Sequence, residues 1–144
     1  MVFRKILVAL DGGPIAAHAI DVGIELGRSL KSDIAIVHVM SLPVPVGGDI
    51  GVPPEEMTTL VQQEGRRLLD GVRQRLLLES SVLEFLESGD PAVEIVKAAK
   101  AWPADLIVIG SHGRGGLDRM LLGSVAESVM RHAPCPVLVV RPNE

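Results

Sequence analysis

Short apolar runs alternate along this chain with stretches whose apolar positions recur every three to four residues. Ile6, Leu7, Val8, Ala9 and Leu10 form an unbroken run that reads as a strand. It ends at Asp11-Gly12-Gly13-Pro14, a turn from which a helix can start. Ala16, Ala19, Ile20, Gly23, Leu26, Gly27 and Leu30 then fall at helical spacing, with small residues that permit close packing on a sheet. A second strand is expected over residues 34–39, and residues 41–54, rich in Pro and Gly, read as a long loop. A helix over about residues 55–78 would carry Val61, Gly65, Leu68, Val72 and Leu76 on one stripe, and a short third strand follows around residues 82–86. Asp90 and Pro91 supply the cap and first residue of a helix bearing Ala92, Ile95, Val96 and Ala99. A fourth strand over 106–109, a helix near 124–132 and a fifth strand over 137–140 complete the pattern.

Alternation of this kind argues for an α/β fold: an open, mostly parallel sheet with helices on both faces. No repeat, low-complexity tract or linker divides residues 1–144, so one domain is expected. Apolar residues make up 47% of the chain, aromatics only 2%, and Tyr is absent. The core is therefore built from Val, Ile, Leu and Ala, as a parallel sheet covered on both faces requires. Ligands of such sheets bind beyond the carboxyl ends of the strands, where strand order reverses. Asp11 and Gly110, each just past a strand run or at its end, are candidates to line that crevice.

Charge and cysteine content narrow the function classes. Lys and Arg number 14 against 18 Asp and Glu, without a basic run or aromatics for base stacking, which argues against a nucleic-acid partner. Cys135 is the single cysteine, so an internal disulfide is excluded; Pro134 and Pro136 around it suggest a turn into the last strand. His18, His38, His112 and His132 show no metal-ligand spacing. No apolar run approaches the ~18 residues of a membrane span, and the amino terminus has no cleavage-site pattern, so a cytoplasmic protein is expected.

The chemistry concentrates in Gly110-Ser111-His112-Gly113, followed after nine residues by Gly123-Ser124. Two glycine clusters sit where a buried strand gives way to a helix. There a backbone without Cβ atoms can turn N–H groups toward an anion, and the helix dipole favours negative charge. Single residues keep plainer readings. Ser124-Val-Ala-Glu127 matches a capping box, in which Ser124 serves only its own helix. Asp11 reads equally as a helix cap or as a carboxylate beside phosphates, the second making most sense if Mg²⁺ bridges them. His112 is either a phosphate donor or an exposed loop residue, and Arg114 and Arg119 are candidates to neutralise terminal phosphates. Trp102 reads as a packing anchor.

Gly110-x-x-Gly113-x9-Gly123-Ser124 resembles the ATP-binding signature of universal stress proteins. The opening Lys5-Ile-Leu-Val-Ala-Leu-Asp11-Gly12, the segment Val37-His-Val39 and the closing Pro134-Cys-Pro-Val-Leu-Val-Val140 are similar to that family too. The resemblance covers residues 3–141 and implies a five-stranded sheet of order 3-2-1-4-5 that forms a homodimer through the last strand. It also implies an ATP site: Gly110, Gly113, Gly123 and Ser124 around ribose and phosphates, with Ser111, His112, Arg114 and Val125 beside them. Asp11 would lie near the ribose or Mg²⁺-bound phosphates, and Val39 near adenine. Gly13 stands where the family often has Ser or Thr, which removes one hydroxyl contact. The expected function is an ATP-binding stress-response regulator. No Gly-Lys pair of a P-loop and no Gly-x-Ser-x-Gly elbow is present, so at most weak ATPase activity is expected. The alternatives are a slow Mg²⁺-dependent hydrolase with Asp11 orienting water, and a nucleotide-free dimeric interaction module.

Overall fold

The apolar runs form strands β1 (Lys5–Leu10), β2 (Asp33–Met40), β3 (Leu83–Ser88), β4 (Leu106–Gly110) and β5 (Val137–Val140) in the computed structural model. The 3.6-period stretches form helices α1 (Pro14–Leu30), α2 (Pro91–Ala101) and α3 (Ser124–His132). The structure describes residues 3–10, 14–40, 82–111 and 122–141, with the helical residues 59, 60, 62, 63, 66 and 67; for residues 14–17 it describes backbone alone. The expected loop 41–54, and the proposed stripe Val61, Gly65, Leu68, Val72 and Leu76, lie outside the described residues.

All strands are parallel, in the order β3-β2-β1-β4-β5. The register pairs Leu10 with His38, His38 with Leu86 and Gly110 with Val140. The chain thus moves outward from β1 to β3 and then crosses to the far side of β1. Strand order reverses between β1 and β4, so the switch point at which sheets of this kind bind ligands lies between the carboxyl ends of those two strands.

Successive residues of each strand feed opposite faces. Ile6, Val8 and Leu10 join Ile34, Ile36, Leu106 and Val108 beneath Ala19, Ile20 and Ile24 of α1. Leu7 and Ala9 join Val37, Ile107 and Ile109 beneath Ala92, Ile95 and Ala99 of α2 and Ala126 and Val129 of α3. Because both faces are covered, the strands read as continuous apolar runs, and burying each Leu, Ile or Val contributes about 2 kcal/mol.

Two glycines set how closely α1 lies on the sheet. A Cβ at Gly23 would meet Val8 Cγ2 at 2.6 Å, and one at Gly27 would meet Ile34 Cδ1 at 2.5 Å. The small residues of the helical pattern therefore act as expected. Leu30 departs from that pattern: it is 40% exposed, at the last residue of α1. β3 also runs later than the apolar run suggested. Its ladder begins at Ala35↔Leu83 and continues to Met40↔Ser88, because pairing with the long β2 holds Glu87 and Ser88 extended.

Asp90 caps α2, its Oδ2 accepting from the Val93 N–H at 3.0 Å, with Pro91 in the first turn. Replacing Asp90 by Ala leaves that amide without its side-chain acceptor. The expected cost is about 1 kcal/mol, or a fall of about 4 °C in Tm, checked by thermal unfolding. Trp102 ends the helix and packs on the α2–α3 face of the core, with Lys5 Nζ 5.5 Å from its ring centroid. At the amino end of the sheet, Asp105 Oδ2 accepts from the backbone N–H groups of Arg4 and Lys5 at 2.9 and 3.0 Å. Among the described residues, no helix is long and apolar enough to cross a membrane.

Candidate functional site

Ser111 and Gly123, one from each glycine segment, meet at the end of β4. Gly110 is the last residue of that strand and pairs with Val140 of β5. Ser111 follows it and is 4% exposed. Its N–H donates to the Val140 carbonyl at 2.8 Å, and its own carbonyl accepts from the Gly123 N–H at 2.6 Å. One buried serine backbone thus ties the strand end to the start of α3.

Gly123 is the N-cap of α3, with φ −63° and ψ 153°, and provides no side-chain cap. The first helical bond runs from the Glu127 N–H to the Gly123 carbonyl at 2.9 Å. The N–H groups of Ser124, Val125 and Ala126 accordingly precede the intrahelical ladder. α2 differs, since Asp90 places a carboxylate oxygen at the same position of its first turn. The capping-box reading of Ser124 is corrected here: Ser124 lies one residue inside the helix and is exposed. Glu127, the other half of that box, instead accepts from Arg131 one turn later at 2.8 Å. That pairing suits a helix with Glu in its first turn and Arg131 and His132 in its last. Val125 is half-buried and packs on the core, which holds the amino end of α3 against the sheet.

Val39 is half-buried on the same sheet face as α3, both packing on the cluster that includes Ala9, Val37 and Ile109. Gly110 and Ser111 at the end of β4 are tied by a hydrogen bond to Gly123, which leads into Ser124 and Val125, and Val39 packs on the same core cluster as Val125. Asp11, His112, Gly113, Arg114 and Arg119 lie outside the described residues.

One residue that the strand pattern left without a role stands out. His38 is 7% exposed near the carboxyl end of β2, and its Nδ1 lies 3.2 Å from the Leu10 carbonyl. A carbonyl only accepts, so Nδ1 carries the donating proton. The available signal was an imidazole inside an otherwise aliphatic strand. His132, by contrast, is exposed and bonds the Ser128 carbonyl within its own helix. The Cys135 thiol is half-buried, and burial, with the Asp105 charge as a lesser cause, pushes its pKa up. That suppresses the reactive thiolate. No group of three or more His, Cys, Asp or Glu among the described residues is placed to hold a metal ion.

A family model described as the universal stress protein family matches residues 2–141. The chain belongs to that family. It is 35% identical over 147 residues to the universal stress protein YxiE of Bacillus subtilis, covering 96% of this chain and 99% of that one. It is 37% identical over 146 residues to the universal stress protein MJ0531 of Methanocaldococcus jannaschii, covering 96% and 82%. A crystal structure of a family protein from Burkholderia pseudomallei superposes with a TM-score of 0.78 at 33% identity, over 98% of both chains. Two structures sharing the fold hold nucleotides. One is an Arabidopsis thaliana family protein with AMP bound (TM-score 0.69, 22% identity, 97% and 92% covered). The other is a universal stress protein in complex with cAMP (TM-score 0.65, 20% identity, 99% and 100% covered).

Proposed function

We propose that this chain is a regulatory protein that binds ATP in the crevice at the carboxyl ends of β1 and β4 and changes its partners accordingly. The observation that carries the reading is the join of Gly110, Ser111 and Gly123, which sets a helix start without a side-chain cap beside the exit of β4. Backbone N–H groups at such a helix start, with the positive end of its dipole, suit phosphate oxygens. The spacing Gly110-x-x-Gly113-x9-Gly123-Ser124 supports the same reading, as do the AMP and cAMP held by other proteins of this fold.

In this reading Gly110, Gly113, Gly123 and Ser124 surround ribose and phosphates, with Ser111 as the buried clasp behind them. His112, Arg114 and Val125 flank the phosphates, Val39 borders adenine, and Asp11 faces the ribose or Mg²⁺-bound phosphates. Mg²⁺ would supply charge neutralisation between the Asp11 carboxylate and the phosphates. Binding comes first and hydrolysis is at most slow. A cytoplasmic homodimer completes the reading, its seam along β5, which among the described strands pairs only with β4 and leaves Leu138 exposed.

The test is mass spectrometry of nucleotide released from the purified protein, followed by calorimetric titration with Mg²⁺ and ATP. Copurified adenine nucleotide and saturable binding are expected. A protein that arrives empty and gives no heat would leave the interaction-module reading. Phosphate release over many turnovers, lost in Asp11→Ala while ATP still binds, would favour the hydrolase.

A further inference from the structure

We propose that His38 is a positioning residue for the nucleotide site: its imidazole locks the carboxyl end of β1 to β2 and so sets the approach of Val39 to the ligand. The inference rests on the nucleotide reading above. His38 and Leu10 are register partners on adjacent parallel strands. Leu10 is the last residue of β1 and immediately precedes Asp11; His38 immediately precedes Val39. The bond from Nδ1 to the Leu10 carbonyl therefore ties the last residue of β1 to β2, two residues before β2 ends at Met40. The imidazole is 7% exposed, so water competes little for that bond. An aliphatic residue would satisfy the packing of this strand, as at Ile34 and Ile36 on the same face. What the imidazole adds is a directed donor to the carboxyl end of β1.

The prediction separates donor from bulk. Asn carries an amide N–H near the place of Nδ1, Gln extends one bond farther, and Leu supplies volume without a donor. In calorimetric titration with Mg²⁺ and ATP, H38L and H38Q are expected to weaken affinity about five- to ten-fold, the worth of one lost hydrogen bond, with H38N within about two-fold of the parent. Thermal midpoints of the nucleotide-free variants are recorded alongside. A purely structural role would lower the midpoint and leave the dissociation constant unmoved, which would overturn the proposal. H38N binding as weakly as H38L would overturn it too, since the donor would not be the cause. If H38L fails to fold, the contrast of H38N with H38Q decides. If the parent protein binds no ATP, the nucleotide reading falls and this inference with it. If the parent binds and all variants match it, only the role of His38 falls.

Discussion

Gly123→Asp is expected to abolish ATP binding while slightly raising thermal stability. Gly123 sits at φ −63° and ψ 153°, a conformation open to any residue and the usual one for an N-cap. A carboxylate placed there would accept from the Ala126 N–H, as Asp90 accepts from Val93 at the start of α2. The helix gains a few tenths of a kcal/mol from the cap and about 0.5 kcal/mol from the dipole, so Tm should rise by about 3 °C. The same carboxylate occupies a phosphate donor and sets like charge against a triphosphate. Affinity should fall by far more than ten-fold, beyond calorimetric detection. Gly123→Asn separates the two effects, because it caps without charge and should bind with intermediate strength. Parent-like ATP affinity in Gly123→Asp would remove the start of α3 from the site, whatever the stability change.

The second large effect concerns the seat of α1. Gly23→Val should destabilise the protein by about 3 kcal/mol or more, since even its Cβ falls 2.6 Å from Val8 Cγ2. Val8 is 1% exposed on the central strand, and its β-branched side chain has little freedom at χ1 to retreat. Gly23→Ala gains about 1 kcal/mol of helix propensity but meets the same methyl, and a net loss of about 1 kcal/mol is expected. At Gly27 the obstructing atoms are Ile34 Cδ1 and Cγ1, at 2.5 and 2.9 Å, toward the end of a side chain that can turn. Gly27→Ala should therefore be the better tolerated of the pair. Urea unfolding midpoints give the ranking directly. The reverse order would show that the carboxyl half of α1 is the more tightly held.

Much of this architecture was legible in the chain because burial on two faces leaves a plain trace. The start of α1 at Pro14, the cap at Asp90, the span of α3 and all of β5 match the periodicity and capping signals. What escaped was decided by partners distant in sequence. β3 extends to Ser88 because β2 is there to pair with it, and nothing in Glu87 or Ser88 favours a strand. Ser124 and Glu127 fit a capping box by type, yet the bond from Gly123 to Ser111 starts the helix at Gly123 and leaves Glu127 to Arg131. The candidate site was legible as a spacing of glycines, of which Gly113 lies outside the described residues, and a hydrogen bond joins Ser111 after Gly110 to Gly123 before Ser124 and Val125. His38 went unread because its role depends on a carbonyl in a neighbouring strand, 28 positions away.

β1 lies in the middle of the sheet, yet its two neighbours come from very different distances along the polypeptide. β2 follows after one helix, whereas the Asp105 carboxylate that fastens the opening of β1 is 100 and 101 positions from Lys5 and Arg4. A chain emerging from the ribosome can assemble β1, β2 and β3 early, but the inner flank of β1 stays bare until β4 has been made. Translation that stalls before residue 105 would release a half-sheet with an open apolar edge, the kind of species on which chaperones act and from which aggregates grow.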